Sequence, residues 1–525
     1  MEWVTVPSSL CSATTFTYPT IAGVEFLSIE ASLVQNFSRY VSDQDYLNNP
    51  EIFVEDATFC NLTLSYTHHG QDDVLFVESW LPIPWNSRLQ AVGGGGWTGG
   101  RTELAISEMA GAIGNGWYVQ SIHVYRQRDA TITTDAGLGH SEVPVEWALL
   151  KPGNVNWVAL QNLGHVSLNE QAIIGKKLAN DFYDKPPLYS YFIGCSQGGR
   201  QGLELAQRYP DAYDGIAAAT PAVYWSQFFQ VMLWAQMVMK EIDEYPRGCE
   251  LDYLQKAVIE KCDADDGIED GIILDPTKCQ FDPVSVVGTR FSCSDTGRDM
   301  EISNGAATIF KAYHAGAKDP DGNFLWHGPH YGSNLTRTIF GTPGLAATTC
   351  TEEGCVGRPF EFGLFWTGLF GMKDPTWEFT EMTMDQFNET FHRAAAEYAS
   401  TLGTSDPDLD RFRDAGGKMI TFHGLMDDLC PSKGTEQYYN EVWKRDENIH
   451  DFYKFYEVPG LGHCYGGNGG QPTGIFEALR AWVETDKVPE SLVIDVPRQA
   501  ATEKRVICPY PQKVRFRHGH EEGKS

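Results

Sequence analysis

The chain is poor in basic residues and has no long apolar segment. It contains 40 Lys and Arg against 70 Asp and Glu, which gives a formal net charge of −30. A surface this acidic repels nucleic acid and anionic membranes, so neither is an expected partner. No run of about 18 apolar residues is present, so the sequence predicts no transmembrane helix. These features argue against nucleic-acid-binding and membrane-spanning classes.

The chain also lacks the Cys-x-x-Cys pairs typical of zinc ribbons and thioredoxin-like proteins. Its 12 cysteines form an even set without metal-ligand spacing, which favours a disulfide framework made in an oxidising compartment. Residues 1–7 have neither the basic n-region nor the apolar h-region of a secretion signal. Either the chain is cytosolic or a signal has been replaced by an initiating methionine, and the cysteines favour the second. Sequons compatible with N-glycosylation start at Asn36, Asn61, Asn334 and Asn388.

The segment around Ser196 has the pattern of a nucleophile elbow. Residues 188–193 predict a short buried strand, residues 194–198 read Gly-Cys-Ser-Gln-Gly, and residues 199–208 predict a helix. Strand, tight turn and helix are the setting in which Gly-x-Ser-x-Gly presents a nucleophile. A chance match is the alternative in a chain with 52 glycines, but the flanking elements favour the elbow. The backbone N–H of Gln197 is then one expected oxyanion donor.

A glycine run at residues 93–100 is the candidate source of a second oxyanion donor. It follows a predicted strand end at residues 89–92. Esterases of the α/β-hydrolase type use such a loop to aim a backbone N–H at the oxyanion, and we expect Gly95 to supply it. The run lacks the Lys-Ser/Thr ending of a P-loop, so a phosphate site is not favoured. An ordinary flexible loop is the remaining alternative.

Two predicted strands near the end of the chain lead to a candidate acid and a candidate base. Residues 417–423 predict a strand followed by Asp427 and Asp428, and residues 452–458 predict a strand followed by His463. The order serine, aspartate, histidine is that of α/β-hydrolases. We prefer Asp427 to Asp428 because it lies nearer the strand end, although local reasoning hardly separates the two.

Cysteines stand directly beside the candidate nucleophile and base. Cys195 precedes Ser196, and Cys464 follows His463. If these cysteines form a disulfide, their Cα atoms lie about 4.4–6.8 Å apart and the bond holds the two catalytic groups within reach of each other. The chain has 14 histidines, and Cys464 is what singles out His463. His423 precedes the acid, so we interpret it as a strand-end residue satisfied by backbone.

The length of the chain predicts more than one domain. At 525 residues it exceeds the usual limit of about 250–300 residues for a single hydrophobic core. We expect the first part of an α/β-hydrolase catalytic domain at residues 1–224, an inserted lid domain at residues 225–400, and the second part of the catalytic domain at residues 401–525. The insertion is rich in aromatic residues, of which Phe365 and Trp366 are the expected ring-stacking contacts of a substrate.

An acidic loop inside the insertion is a candidate cation site. Residues 262–272 read Cys-Asp-Ala-Asp-Asp-Gly-Ile-Glu-Asp-Gly-Ile, and clustered carboxylates on a glycine-containing loop suit Ca²⁺. The spacing is not that of an EF-hand, because Gly267 and Leu274 occupy loop positions 5 and 12, where the motif needs Gly at 6 and Glu at 12. A solvated acidic loop is the alternative. The candidate ligands are the side chains of Asp263, Asp266 and Asp270 and the carbonyls of Ile268 and Ile272.

Together these motifs resemble the tannase/feruloyl esterase family, and the resemblance covers most of the chain. It rests on the elbow at residues 194–199, on His-Gly-Leu-Met-Asp at 423–427, on Pro-Gly-Leu-Gly-His-Cys at 459–464 and on the acidic loop. It implies an α/β-hydrolase core with an inserted lid, Asp427 as the acid, and a structural Ca²⁺ held by the five loop residues. This chain departs from the family pattern at residues 425–426, where relatives often have an aromatic and a small residue, and at Asp428, where proline is frequent.

The resemblance also implies part of the disulfide pattern. The implied pairs are Cys195–Cys464, Cys11–Cys60 and Cys262–Cys279. The sequence does not pair the other six cysteines, which are Cys249, Cys293, Cys350, Cys355, Cys430 and Cys508.

The activity that the resemblance implies is that of a secreted serine esterase. It would hydrolyse feruloyl esters of plant cell-wall polysaccharides through an acyl-enzyme, so the expected partner is a phenolic ester. Ferulate is preferred because the overall length and the lid resemble the shorter feruloyl esterases. The alternative within the family is a tannase acting on gallate esters. The alternative of another class is a catalytically inactive, esterase-fold binding protein.

Overall fold

An eleven-stranded sheet forms the centre of the protein. A computed structural model describes residues 3–44, 48–117, 124–126, 128–139, 142–337, 342–497, 502–514, 516–517 and 520–521. The strands follow the order β11-β10-β9-β8-β4-β7-β3-β2-β5-β6, and β1 pairs with β2. The strands are β1 (Val24–Val41), β2 (Ile52–His68), β3 (Leu75–Pro82), β4 (Arg88–Val92), β5 (Asn115–Trp117), β6 (Val124–Arg126), β7 (Ala130–Thr134), β8 (Tyr189–Cys195), β9 (Gly215–Ala219), β10 (Lys418–Gly424) and β11 (Tyr453–Val458).

Six of these strands form a parallel block that carries the predicted motifs. Strands β11, β10, β9, β8, β4 and β7 pair in parallel, and the remaining strands extend the sheet in antiparallel pairs. The side chains of β9 are all buried, and those of β8 and β10 are buried beyond their first residue, as expected for parallel strands covered on both faces. Because the strands run in one direction, the segments that follow β8, β10 and β11 leave the sheet at the same edge.

Helices cover both faces of the parallel block. Alternate residues of β8 belong to different cores, with Phe192 on one face and Tyr191 and Ile193 on the other. Helices α3, α4 and α12 pack on the first face, and α1 and α13 pack on the second. The helices are α1 (Glu103–Ile113), α2 (Trp157–Gln161), α3 (Ser167–Tyr183), α4 (Gln197–Arg208), α5 (Trp225–Val231), α6 (Trp234–Ile242), α7 (Gly248–Cys262), α8 (Asn304–Ala315), α9 (Glu361–Phe365), α10 (Met384–Tyr398), α11 (Asp410–Asp414), α12 (Ser432–Arg445) and α13 (Ile475–Thr485).

The stretch from 225 to 400 contains helices α5 to α10 and three short hairpins. Within the described part of this stretch, no strand joins the large sheet. Its apolar side chains nevertheless belong to the same buried cluster as those of α3 and α4. The division into a catalytic domain and a lid therefore stays a prediction, made from where the insertion lies in the chain.

Five disulfides cross-link the fold. The three pairs that the resemblance implied are present, namely Cys195–Cys464, Cys11–Cys60 and Cys262–Cys279. The structure adds Cys249–Cys293 and Cys350–Cys355, and it leaves Cys430 and Cys508 as buried thiols. In the described ranges, no helix has both the length and the apolar content that a bilayer span requires.

Candidate active site

Ser196 lies in the turn between β8 and α4, at the edge of the sheet where the parallel strands end. Its backbone has φ +60° and ψ −117°, a conformation that side-chain-bearing residues seldom adopt and that marks a nucleophile elbow. The turn is closely packed, since a Cβ on Gly194 would lie 2.7 Å from backbone atoms of Gly198. The glycines on either side of Ser196 are thus a steric requirement of this turn.

Ser196, His463 and Asp427 form a continuous chain of hydrogen bonds. The distance between Ser196 Oγ and His463 Nε2 is 2.9 Å, and that between His463 Nδ1 and Asp427 Oδ2 is also 2.9 Å. His463 and Asp427 are buried, with 2% and 1% of their surfaces exposed. The structure therefore brings together all three residues of the predicted triad, in the geometry by which a histidine can take a proton from a serine hydroxyl.

Two close approaches hold the acid loop and the base loop in place. The N–H of Met426 donates to the carbonyl of Leu461 at 2.9 Å, and a Cβ on Gly424 would lie only 2.3 Å from the same carbonyl oxygen. On the other side of the histidine, the Cys195–Cys464 disulfide joins the base loop to the elbow, with the two Cα atoms 6.0 Å apart. Ser196, Asp427 and His463 are thus linked by contacts between the loops that carry them.

The carboxylate of Asp427 receives four hydrogen-bond donors. Its Oδ1 accepts the N–H groups of Leu429 and Cys430, both at 2.8 Å, and its Oδ2 lies next to the rings of His463 and His423. Burial by itself raises the pKa of a carboxyl. The pKa of Asp427 nevertheless lies well below its usual range, because the two histidines lie beside it and hydrogen-bond to it. Asp427 is therefore charged and fixed in orientation.

Asp428, the other candidate acid, is held by an arginine. It accepts two hydrogen bonds from Arg337, from Nε at 3.0 Å and from a terminal nitrogen at 3.1 Å. Burial raises the pKa of Asp428 to about 6, and the adjacent Arg337 guanidinium limits the rise. The structure thus separates the two aspartates that local sequence could not.

His423 takes part in the site more closely than the sequence indicated. Its Nε2 lies 3.0 Å from Asp427 Oδ2 and 2.9 Å from the carbonyl oxygen of Cys430, and its Nδ1 lies 2.8 Å from Thr435 Oγ1. The interpretation of His423 as a residue satisfied by backbone is therefore only partly right. A second buried imidazole shares the carboxylate oxygen that orients His463.

The glycine run packs against the elbow, as expected for a loop that contributes to an oxyanion hole. A Cβ on Gly198 would lie 2.9 Å from the carbonyl oxygen of Gly94. Gly95 borders open space, and its N–H donates a hydrogen bond to Thr98 Oγ1 at 3.2 Å within the same loop, a bond that Gly95 would have to share or release to bind an oxyanion. Helix α4 begins at Gln197, whose N–H precedes the first intrahelical bonds. The donor roles of Gln197 and Gly95 stay predictions.

The structure corrects one of the two predicted ring-stacking residues. Trp366 has no exposed surface and packs against Trp97 and Phe370, so it is part of the aromatic core. Phe365 lines a cavity between α9 and the segment at residues 374–380, and its contact with a substrate stays a prediction. Phe362, from the same inserted stretch, lies beside the glycine run, where a Cβ on Gly96 would lie 3.2 Å from its ring. All three aromatic residues lie on one short stretch, so only packing distinguishes them.

Arg200 is a site residue that the sequence analysis missed. It is fully buried in α4, and it donates to Gln197 Oε1 at 2.7 Å, to Thr404 Oγ1 at 2.9 Å and to the carbonyls of Leu163 and Gly164 at 3.0 Å. Burial lowers the pKa of Arg200 to about 10, which leaves it charged at neutral pH. It fixes the start of the elbow helix against neighbouring segments, and nothing in its local sequence indicated that role.

The acidic loop has carboxylates that repel one another. The pKa of Asp266 is raised by burial and by the charges of Asp270 and Asp263. Both oxygens of Asp263 accept backbone N–H groups of the loop, and Asp270 pairs with Arg505. A bound divalent cation would offset this repulsion, so the donor set fits Ca²⁺.

The spacing of these side chains is looser than that of a closed metal site. Among the described residues, one group of three ligating side chains has all its donor atoms within 4.8 Å of one another. That group is Cys249, Cys293 and Asp295, whose cysteines form a disulfide. Any cation in the acidic loop would therefore draw on backbone carbonyls or solvent as well as on carboxylates.

Known proteins resemble this chain over almost its whole length. The profile of the family described as "Tannase and feruloyl esterase" matches residues 60–524. A protein of Arthroderma benhamiae named "Probable feruloyl esterase" is 32% identical over 511 residues, which cover 95% of this chain and 90% of that protein. "Tannase" of Aspergillus oryzae is 27% identical over 526 residues, covering 87% of this chain and 83% of that protein.

A solved structure shows the same fold. "Tannin acyl hydrolase from Aspergillus niger" has a TM-score of 0.86 to this protein at 26% sequence identity, and the match covers 98% of this chain and 94% of the other. The α/β-hydrolase architecture expected from the sequence is thereby confirmed.

Proposed function

The chain belongs to the tannase and feruloyl esterase family and is a carboxylic ester hydrolase, and from this we propose that it is a secreted serine esterase that hydrolyses feruloyl esters of plant cell-wall polysaccharides. The observation that carries the proposal is the chain of contacts from the half-exposed Ser196 to the buried His463 and Asp427, with both hydrogen bonds at 2.9 Å. An esterase-fold binding protein without turnover would have no need of this arrangement.

The proposed reaction proceeds in two halves. Ser196 Oγ attacks the ester carbonyl carbon while His463 Nε2 takes the hydroxyl proton, and Asp427 stabilises the imidazolium. Backbone N–H groups of Gln197 and Gly95 bind the oxyanion. The C–O bond to the alcohol then breaks, and the alcohol leaves with the proton from His463. In the second half, His463 deprotonates a water molecule that attacks the acyl-enzyme, which releases the phenolic acid and restores Ser196.

Two candidate acyl groups follow from the relatives. The relative at 32% identity is named a feruloyl esterase, which supports a hydroxycinnamoyl ester. The solved structure with a TM-score of 0.86 is a tannin acyl hydrolase, so a gallate ester is the second candidate. Either acyl group carries a phenolic ring, and Phe362 beside Gly96 is the side chain that we propose stacks on it.

Secretion and calcium binding are further parts of the proposal. Five disulfides suit a protein that folds in an oxidising compartment. A structural Ca²⁺ would be held by Asp263, Asp266 and Asp270 with the carbonyls of Ile268 and Ile272. The ion would supply positive charge to a carboxylate-rich loop that is distant in sequence from the triad.

Initial rates of hydrolysis on methyl ferulate and methyl gallate test the proposed function. The Ser196→Ala variant serves as the blank, and its thermal unfolding should match that of the wild type because only a half-exposed hydroxyl is removed. A Ser196-dependent preference for ferulate is the expected result. A preference for gallate would identify a tannase, and no turnover of either ester would contradict the proposal.

A further inference from the structure

The four sequons of the chain differ in how their asparagine side chains are placed. Asn36 is exposed, whereas the other three are half-buried. The side-chain oxygens of Asn61 and Asn388 are inaccessible to solvent. Asn334 Oδ1 accepts the N–H groups of Thr336 at 2.8 Å and Arg337 at 2.6 Å. Asn36 is thus the sequon whose asparagine the fold leaves most open, and it is the one best placed to carry a bulky sugar.

The backbone at Asn36 turns its side chain outward. Cα pairing between β1 and β2 passes from Val34–Phe59 to Phe37–Ala57, so two residues of β1 oppose one of β2 and form a β-bulge. Asn36 has φ +54°, a left-handed conformation that asparagine tolerates better than most residues.

The middle residue of the sequon fixes this orientation. Phe37 packs inward, with its ring centroid 5.5 Å from that of Phe59 and 5.7 Å from that of Trp80. Its neighbours Asn36 and Ser38 therefore face solvent, as alternation along a strand requires. Both residues that a glycosyl-transferring enzyme must recognise are thus on the accessible side.

The strand that carries Asn36 is a long edge. Strand β1 spans 18 residues, and within the described residues it pairs with β2 alone. Its first 17 residues are all exposed or half-exposed, including Leu27, Leu33 and Tyr40 at 48%, 37% and 51%. An edge of this length offers backbone donors and acceptors to another chain, which proteins usually prevent by bulges, charges or coverage.

We propose that Asn36 is N-glycosylated and that the glycan covers the outer edge of β1 against pairing with a second copy of the chain. The Asn36 amide nitrogen forms a bond to the anomeric carbon of an oligosaccharide carried on a lipid diphosphate. The lipid diphosphate leaves, and the amide nitrogen loses one proton. This proposal rests on the secretion that is part of the proposed function, because the donor is met in the secretory pathway.

The test is secretion of the full chain from a yeast with a host leader, followed by intact-mass measurement before and after enzymatic removal of N-glycans. The matched variants are Asn36→Asp, which removes the sequon but keeps a residue that tolerates left-handed backbone, and Asn388→Gln as the control. The wild type and Asn388→Gln should lose the same glycan mass on treatment, and Asn36→Asp should lose none. An unmodified Asn36, or a glycan at Asn61, Asn334 or Asn388, would overturn the site.

The shielding role has its own readout. At equal concentration, Asn36→Asp should form larger species by light scattering earlier on heating than the glycosylated wild type, with an unchanged rate on methyl ferulate. A variant that lacks the glycan and aggregates no sooner would overturn the shielding role. Neither mass nor scattering depends on turnover, so failure of the proposed esterase activity is recognised separately.

Discussion

Asp427 is the residue on which most hydrogen bonds of the active site converge. Its two oxygens receive two backbone N–H groups and contact two imidazole rings, whereas its neighbour Asp428 is held by Arg337. The two residues share chemistry and sequence context, and they differ in which partner each one faces. That difference makes them a matched pair for substitution.

We expect Asp427→Asn to lower kcat by about 10³–10⁴-fold, because an amide cannot stabilise the imidazolium or hold the correct tautomer of His463. Asp428→Asn should keep kcat within about tenfold, since it contacts Arg337 rather than the histidine. Steady-state kinetics on one phenolic ester compare the two. A larger loss in Asp428→Asn would show that the acid has been misassigned.

His423 should influence the pH dependence of the reaction through Asp427. The Nε2 atom of His423 lies 3.0 Å from Asp427 Oδ2, the same carboxylate oxygen that contacts His463. In His423→Leu, Asp427 Oδ2 contacts only the ring of His463 and becomes a better hydrogen-bond acceptor for the imidazolium. Because the imidazolium is then stabilised, the acidic limb of the kcat/KM profile should move to higher pH. His423→Gln restores a donor and should move the limb back. An unchanged limb in the leucine variant would contradict this role.

Among single residues, the sequence predicted those that lie in distinctive motifs. Ser196 and His463 stand beside cysteines and glycines whose spacing is informative. Trp366 was a wrong choice, because aromatic residues in the insertion look alike until packing places one in the core and another beside Gly96. Phe365 stays a prediction. Arg200 was missed because its partners are carbonyls on segments distant in sequence.

Among the structural elements, the Cys195–Cys464 disulfide directly joins the segments that carry the proposed nucleophile and the proposed base. Replacing both cysteines by alanine should lower the free energy of unfolding by about 2–4 kcal/mol and reduce kcat/KM, since the base loop is no longer tied to the elbow. The control is the same replacement at Cys350 and Cys355, which are only five positions apart in the sequence and close a short hairpin. Thermal unfolding and kinetics should show the larger effects for the first pair, and equal activity of the two variants would refute the positioning role.

A half-buried ion network joins β2 to α3. His68 Nδ1 lies 2.6 Å from Asp73 Oδ2, and its Nε2 lies 2.8 Å from Glu170 Oε1. The hydrogen bond to Glu170 is the main reason that the pKa of His68 is raised to about 9, with burial opposing the rise and Asp73 adding to it. The imidazolium therefore bridges two elements on the sheet face that holds α3.

This network should stabilise the fold in a defined pH window. Because the folded pKa lies above the unfolded value of about 6.5, the contribution is fully present below pH 6.5 and is lost as pH rises through about 9. The Tm difference between the wild type and His68→Gln should thus be largest near pH 6 and vanish above pH 9. His69→Gln, at the exposed neighbouring position, should show no such trend. A difference that grows with pH would contradict the sign.

For the whole molecule, the proposed cation offsets part of a strongly acidic surface. Chelation should lower the Tm of the wild type, and Asp266→Asn should have a lower Tm that chelation no longer changes. Asp265→Asn, at an exposed neighbour outside the proposed ligand set, should behave as the wild type. Calcium binding is tested by the metal content of the purified protein and by thermal unfolding with and without chelator. If the purified protein contains no Ca²⁺ and chelator leaves its Tm unchanged, the proposed calcium site is contradicted.

The overall architecture could be predicted because the informative motifs lie at ends of parallel strands. The strands before Ser196, Asp427 and His463 lie within about two residues of their predicted bounds. The antiparallel extension β1–β2–β3 was not predicted, since its register depends on pairing between residues on separate strands rather than on local pattern. The same limit applies to Cys249–Cys293 and Cys350–Cys355, which only the fold reveals.

The Cys195–Cys464 bond joins residues that are 269 positions apart in the chain, and the whole inserted stretch lies between its ends. A protease that cuts once in a surface loop of this stretch would produce two polypeptides that stay covalently joined. The nicked protein would run as one species on a denaturing gel without reductant and separate into two when reductant is added. The covalent closure therefore lets Ser196 and His463 remain together in an enzyme whose chain is no longer continuous.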